Sequence, residues 1–211
     1  MKQIKLILTL LVIGFVVTSC NDEDNTIPAQ PVESKTITNL AALQDTDFTQ
    51  NPPVTTGSFT KFSFKAGTVV TDDNWDIAFR GTTILVNGGT KIGSLSDEPE
   101  RTGNAALVIQ SGTFANVTTA PDGAEFSQDA SGSYALPTGS DNGWYNYAGP
   151  PTHLISPLAG KVIIVRTKDG NYAKMEILNY YKDNDPTEAD NARYYSFNYV
   201  YNPNVGDKSI Q

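Results

Sequence analysis

KVIIVRTKDGNYAKMEILNYY, residues 161–181, reads as two β-strands folded back on each other about Asp169-Gly170. β-branched and aromatic residues crowd both arms, and an Asp-Gly pair supplies the positive-φ conformation that a tight hairpin turn needs. ARYYSFNYVYN (192–202) continues the pattern as a third strand, with Tyr195, Phe197, Tyr199 and Tyr201 on one face. The three segments predict an antiparallel meander. The row of aromatics could offer a stacking platform for sugars, but at a period of two it reads first as sheet core.

Working towards the N-terminus, NWDIAFRG (74–81) alternates, placing Trp75, Ile77 and Phe79 on one face and Asp76, Ala78 and Arg80 on the other. TTILVNGGTKIG (82–93) then predicts a strand, a turn at Asn87-Gly88 and a short return. From residue 34 onward no window sustains the i, i+3, i+4, i+7 pattern of an amphipathic helix for three turns. The fold class is therefore all-β: antiparallel sheets with long loops at one end and little helix. SLSDEPERTGN (94–104) and the Gly-, Pro-, Ser- and Asp-rich run over about 112–160 are long for loops in one domain, and loops of that length tend to be functional.

The chain opens MKQIKLILTLLVIGFVVTSC, a basic head followed by an apolar run from Leu6 to Val17. That run is shorter than the roughly 20 residues a spanning helix needs and reads as an export signal, residues 1–19. VTSC (17–20) resembles a bacterial lipobox, with Val17 where Leu is usual, and implies lipidation of Cys20, the only cysteine. Two or more acyl chains, at about 0.8 kcal/mol per buried methylene, make a stable membrane anchor. Residues 20–34, acidic and then proline-spaced, predict a flexible tether, and residues 35–211 the folded domain. The acidic cluster behind Cys20 resembles the surface-export signal of Bacteroidetes lipoproteins, which implies an outer-membrane address on the cell surface; the periplasmic face is the alternative.

Loss of Lys2 and Lys5 with the signal takes the formal charge from −8 to −10. The basic residues are scattered singly, so no face matches a phosphate backbone and nucleic acid is not a partner. Nucleophilic triads lack a marked serine, since no G-x-S-x-G occurs, and a zinc site cannot be built from one histidine and one cysteine. Glu98, Glu100, Glu125, Glu176 and Glu188 leave a two-carboxylate hydrolase open, with no pair marked by spacing. KDNDPTEADN (182–191) lacks the central glycine and closing glutamate of a calcium loop and reads as a solvated acidic turn.

The only histidine, His153, lies in GPPTHLISP (149–157) at the end of the longest loop. A lone imidazole is more often structural than functional. At NWDIAFRGTTILVNGG (74–89), HLISPLAGKVIIVRTKDGNYAKMEILNYYKD (153–183) and RYYSFNYVYN (193–202), however, the sequence resembles the HmuY family of haem-binding lipoproteins of Bacteroidetes, a likeness running from about residue 35 to the end.

The resemblance implies a non-enzymatic, right-hand-shaped β protein whose loops grip one haem, take it from carriers and pass it to an outer-membrane receptor. Family members ligate iron through two axial side chains, commonly two histidines, with methionine in some relatives. On that basis His153 is an axial ligand. No second histidine exists, and GGTKIGSLSDEPERTGN (88–104) offers no good iron ligand. Met175 is a weak second-ligand candidate, since it alternates with Ala173 and Ile177 as a core residue would. Tyr145 and Tyr147 could ligate as phenolates or stack on the porphyrin, and Arg80 and Arg101 are candidates for the propionates. The alternative is a surface lipoprotein module on the same scaffold that binds a non-haem ligand or an outer-membrane partner protein.

Overall fold

A computed structural model of the protein describes residues 28–211; the expected export signal, Cys20 and most of the expected tether lie outside the described residues. In chain order the strands are β1 (Glu33–Ala41), β2 (Asp45–Asp47), β3 (Val54–Thr56), β4 (Thr60–Ser63), β5 (Thr68–Val70), β6 (Ile77–Arg80) and β7 (Thr83–Val86). They continue as β8 (Ala106–Ser111), β9 (Tyr145–Tyr147), β10 (Ile155–Pro157), β11 (Lys161–Arg166), β12 (Tyr172–Tyr181) and β13 (Ala192–Asn202). Helix among the described residues is confined to three single 3-10 turns, and none of it is long and apolar enough to cross a membrane.

Two antiparallel sheets face each other. One has the order β1-β13-β12-β11-β8 and the other β5-β4-β6-β7. The Asp169-Gly170 hairpin joins β11 to β12 as expected, with Arg166 opposite Tyr172, and β13 completes the meander. Tyr195, Phe197, Tyr199 and Tyr201 are all buried against Phe62, Phe64, Ile77 and Phe79 of the facing sheet. Phe62 meets Phe197 edge-on at 5.4 Å, and Phe79 meets Tyr195 at 4.8 Å. Such pairs add about 0.5–1.5 kcal/mol each beyond area burial, so the ladder is core and offers no sugar platform.

The early strands differ from expectation in two ways. Trp75 does not share a face with Ile77 and Phe79: it precedes β6 and packs with Ala78, Leu85 and Ile92 on the outer side of the smaller sheet. That outer side is covered by Leu95 and Tyr134 from the long loops, so β6 is buried on both faces and its alternation carries no inside-outside signal. The hairpin turn is Gly81-Thr82, with Arg80 opposite Thr83, and not Asn87-Gly88. Gly81 has φ +54°, a conformation glycine adopts without Cβ strain. Asn87 instead uses its side chain as a bracket, donating to Trp75 O at 2.9 Å and accepting from Thr102 N at 2.7 Å and Gly103 N at 3.0 Å.

The outer face of the larger sheet is covered in the same manner by Phe114, Val117, Ala120, Phe126 and Ile210, packed on Val162, Ile164 and Tyr172. Lys174, itself buried, holds this cover in place by donating to Phe114 O at 2.6 Å and Val117 O at 2.7 Å. Much of the middle of the chain is therefore roofing for the sheets. The β9–β10 ribbon also packs on the core through Tyr145, Leu154 and Ile155, while its loop leaves His153 exposed.

Candidate functional site

β9 and β10 pair antiparallel, with Tyr147 opposite Ile155 and Tyr145 opposite Pro157. The loop between them is closed by Ala148 N donating to Leu154 O at 2.9 Å and His153 N donating to Gly149 O at 2.8 Å. His153 takes φ +53°, a left-handed conformation that histidine adopts more readily than most side-chain-bearing residues. It is exposed, and its Nδ1 meets the Oη of Tyr147 in a hydrogen bond. The two rings lie 5.8 Å apart between centroids and are tilted by 33°.

The ribbon is fastened from several sides. Tyr147 N donates to Ser140 Oγ at 2.8 Å, Asn146 Nδ2 donates to Asp141 Oδ1 at 3.0 Å, and Ile155 N donates to the Tyr181 hydroxyl at 2.9 Å. Trp144, next to β9, donates its indole N–H to Thr82 O at 3.0 Å, which ties the ribbon to the β6–β7 turn. Beneath it Trp144, Tyr180 and Tyr195 form an aromatic cluster, Trp144 lying 5.6 Å from Tyr180 and 5.1 Å from Tyr195. Burial pushes the phenols of Tyr180 and Tyr195 well above the ordinary tyrosine range, so both stay neutral and neither supplies a phenolate.

Tyr181 stands opposite Ala192, and Ala41 opposite Tyr194, at the end of the larger sheet that carries the ribbon. The chain enters at the opposite end, where Glu33 stands opposite Tyr201. There Gln30 N donates to Asn204 Oδ1 at 2.7 Å and Asn204 Nδ2 donates to Gln30 O at 2.8 Å, a two-pronged bracket on the incoming strand. His153 and the entry point are separated by the length of the sheet.

The remaining sequence candidates fall elsewhere. Tyr145 is buried, with its ring 5.0 Å from that of Trp144, so it packs and does not present its hydroxyl beside His153. Met175 is fully buried between the sheets, its Cα opposite Ile163 on one side and Tyr199 on the other, and its sulfur has no path to the ribbon. Arg80 and Arg101 are not free cations for a propionate. Arg80 is buried under the loops, donating to Gly57 O at 2.9 Å and Ser96 O at 2.7 Å while lying 4.2 Å above the Phe59 ring. Arg101 pairs with Glu98 at 2.8 Å and Asp129 at 2.9 Å, all three side chains being almost fully buried.

Asp129 is a residue that sequence reasoning missed. Its carboxylate also accepts from Val86 N at 3.0 Å and Ala135 N at 2.9 Å, and nothing in SQDASG (127–132) marks it for this role. Among the described residues no group of three or more His, Cys, Asp and Glu side chains could hold a metal ion. None of the main clefts among the described residues is lined by His153, and two of them are notable. A polar one of ≈ 630 Å³ is lined by Ser63, Lys65, Asp72, Asn74, Lys168 and Asp169. A more apolar one of ≈ 380 Å³, lined by Ala41, Leu43, Gln44, Gly57 and Thr60, sits at the base of the β2–β3 hairpin, whose Phe48 is 80% exposed.

The chemistry at the ribbon fits a haem iron in one respect: an exposed imidazole whose Nδ1 is held by a phenol and whose Nε2 has no hydrogen-bond partner among the described residues. No second ligand stands beside it among the described residues, since Met175 is sealed in the core and Tyr145 is packed away.

The model of the family described as HmuY protein matches residues 55–199 of this chain. No curated protein matches it. Among solved structures, the apo HmuY analog of Tannerella forsythia is 16% identical, over 83% of this chain and 99% of that one, with a TM-score of 0.46. A provisionally assigned HmuY-like heme-binding protein of Bacteroides vulgatus is 17% identical, over 82% and 93% of the two chains, with a TM-score of 0.47.

Proposed function

The chain belongs to the HmuY family, and from that premise we propose that it is a non-enzymatic haem-binding lipoprotein, anchored to the outer membrane through Cys20 and facing the cell exterior. It captures haem at the β9–β10 ribbon and passes it to an outer-membrane receptor. The observation that carries this reading is the exposed imidazole of His153, with Nδ1 engaged by Tyr147, at the end of the sheet remote from the chain's entry. When bound, haem supplies an iron that accepts an imidazole nitrogen. The chain's own part is to hold that imidazole in place, with the β9–β10 backbone, Tyr147 and the Tyr181 hydroxyl fixing the ribbon.

The test is a haemin titration of the mature protein beside His153→Ala, read by absorbance in the oxidised and reduced states. A saturable one-to-one Soret spectrum that changes in the variant supports the reading; a spectrum indifferent to the substitution removes His153 from the site. A second reading, the same scaffold carrying a non-haem ligand or a partner protein, is favoured by the sealing of Met175, which leaves His153 without a second ligand among the described residues. It predicts only the unspecific spectrum of free haemin in both proteins.

A further inference from the structure

We propose that Tyr147 is a positioning residue: its phenol holds Nδ1 of His153 and so makes Nε2 the nitrogen that meets a ligand. This inference rests on the haem-binding reading above. The sequence alone suggested ligation or stacking for Tyr147, and the geometry assigns it a different role, because the Oη is already engaged with the imidazole.

An imidazole that ligates through Nε2 carries its proton on Nδ1, and the partner of that N–H fixes both tautomer and ring orientation. In this protein the partner is a phenol, which can both donate and accept, where a carboxylate or carbonyl can only accept. With the proton on Nε2, Tyr147 donates its O–H to Nδ1. With Nε2 committed to a ligand, Nδ1–H donates to Tyr147 Oη and the phenol hydrogen turns to water, which it can reach because Tyr147 is 42% exposed. The exchange sends one proton from Nε2 to water and brings one from water to Nδ1, so the site gains and loses none overall. The pair is thus ready for both the empty and the occupied state without moving the ribbon.

The backbone positions of the two residues do not depend on the contact between their side chains. Tyr147 is held by Ser140 Oγ and by pairing with Ile155, and His153 by the carbonyl of Gly149. Removing the phenol hydroxyl therefore frees the ring of His153 while leaving the ribbon intact.

Because the chain has one histidine, a single imidazole signal reports on the pair. The experiment is ¹⁵N-resolved NMR of the ligand-free mature protein at about pH 8, where an ordinary imidazole is neutral, comparing wild type with Tyr147→Phe. The expected result is a dominant Nε2–H tautomer in the ligand-free wild type, with the phenol donating to Nδ1, and a changed tautomer ratio in the variant; identical nitrogen shifts would overturn the inference. A haemin titration supplies the second readout. Tyr147→Phe should keep the imidazole-type band pattern with an affinity about tenfold weaker, the usual loss when the partner of a ligating histidine is removed. A band pattern that collapses to that of His153→Ala would make Tyr147 itself a ligand and overturn the positioning role. If His153→Ala leaves the haemin spectrum unchanged, the haem-binding reading fails, and the tautomer measurement still decides what Tyr147 does to His153.

Discussion

Lys168 N donates to Asp76 Oδ1 at 2.9 Å, so the turn between β11 and β12 is fastened to a buried carboxylate that precedes β6 of the facing sheet. The other oxygen of Asp76 accepts from Phe64 N at 2.8 Å. Burial pushes the Asp76 carboxyl up to about 6, against the pull of those two N–H groups; Asp169 adds to the rise and the Lys168 ammonium opposes it. The folded-state value lies above the unfolded one, so ionisation costs stability at neutral pH and the cost is relieved as pH falls through about 6 towards 4. The rise from the ordinary 3.8 to about 6 corresponds to roughly 3 kcal/mol as an upper bound. Urea unfolding should show the protein gaining stability between pH 7 and pH 5. Asp76→Asn should be less stable throughout, because one N–H loses its acceptor, and should show a shallower slope. Asp129, raised by the same cause, keeps the slope from vanishing. Asp47, Asp72, Asp122, Asp185 and Asp207, held low by hydrogen bonds, act in the opposite direction only below about pH 4.

Arg101 tests whether the buried ion triad holds the 93–104 loop. Arg101→Ala leaves Glu98 and Asp129 as buried charges without their cation and should cost about 3–5 kcal/mol, read as a lower Tm. Arg101→Lys should recover only part of this, since one ammonium cannot reproduce the planar fork that reaches both carboxylates. A variant with wild-type Tm and weakened haemin binding would return Arg101 to the role of a propionate partner.

Met175→Leu conserves volume in the core and should cost less than about 1.5 kcal/mol. Its haemin spectrum should match the wild type in both redox states. Loss of a band in the reduced protein would show that the sandwich opens enough for the thioether to reach iron.

Lys174 caps two carbonyls of the segment that roofs the larger sheet. Lys174→Met keeps most of the apolar stem but orphans Phe114 O and Val117 O, at a cost of about 1–3 kcal/mol. Hydrogen exchange should quicken across residues 113–120 and leave β12 protected.

The meander was legible because Asp169-Gly170 and the period-two aromatics of β13 carry local signals that tertiary context did not override. Alternation does not place Trp75, because both faces of the smaller sheet are covered, one by residues as distant as Tyr134, and a strand buried on both sides has no polar face to read. Asn87-Gly88 has the composition of a turn, yet the Asn87 side chain spends its hydrogen bonds bracketing two other segments. β1 is an edge strand with one face largely in solvent, and in ESKTITNLA the apolar Ile37, Leu40 and Ala41 are too few and too unevenly spaced to mark a strand. At the candidate site, His153 stood out as the lone imidazole, but its contact with Tyr147 depends on which residues the β9–β10 register sets side by side.

The bracket between Gln30 and Asn204 fixes where the chain leaves the domain, a strand's length from His153. Nine extended residues of β1 span about 30 Å. On the proposed N-terminal anchor, and with the sheet upright, the ribbon would stand that far beyond Gln30. At physiological salt a surface potential decays over about 8 Å, so in that arrangement the charge of the membrane would fall at His153 to about a few per cent of its surface value. An anionic ligand reaching the ribbon would then be spared the repulsion it meets at the lipid headgroups.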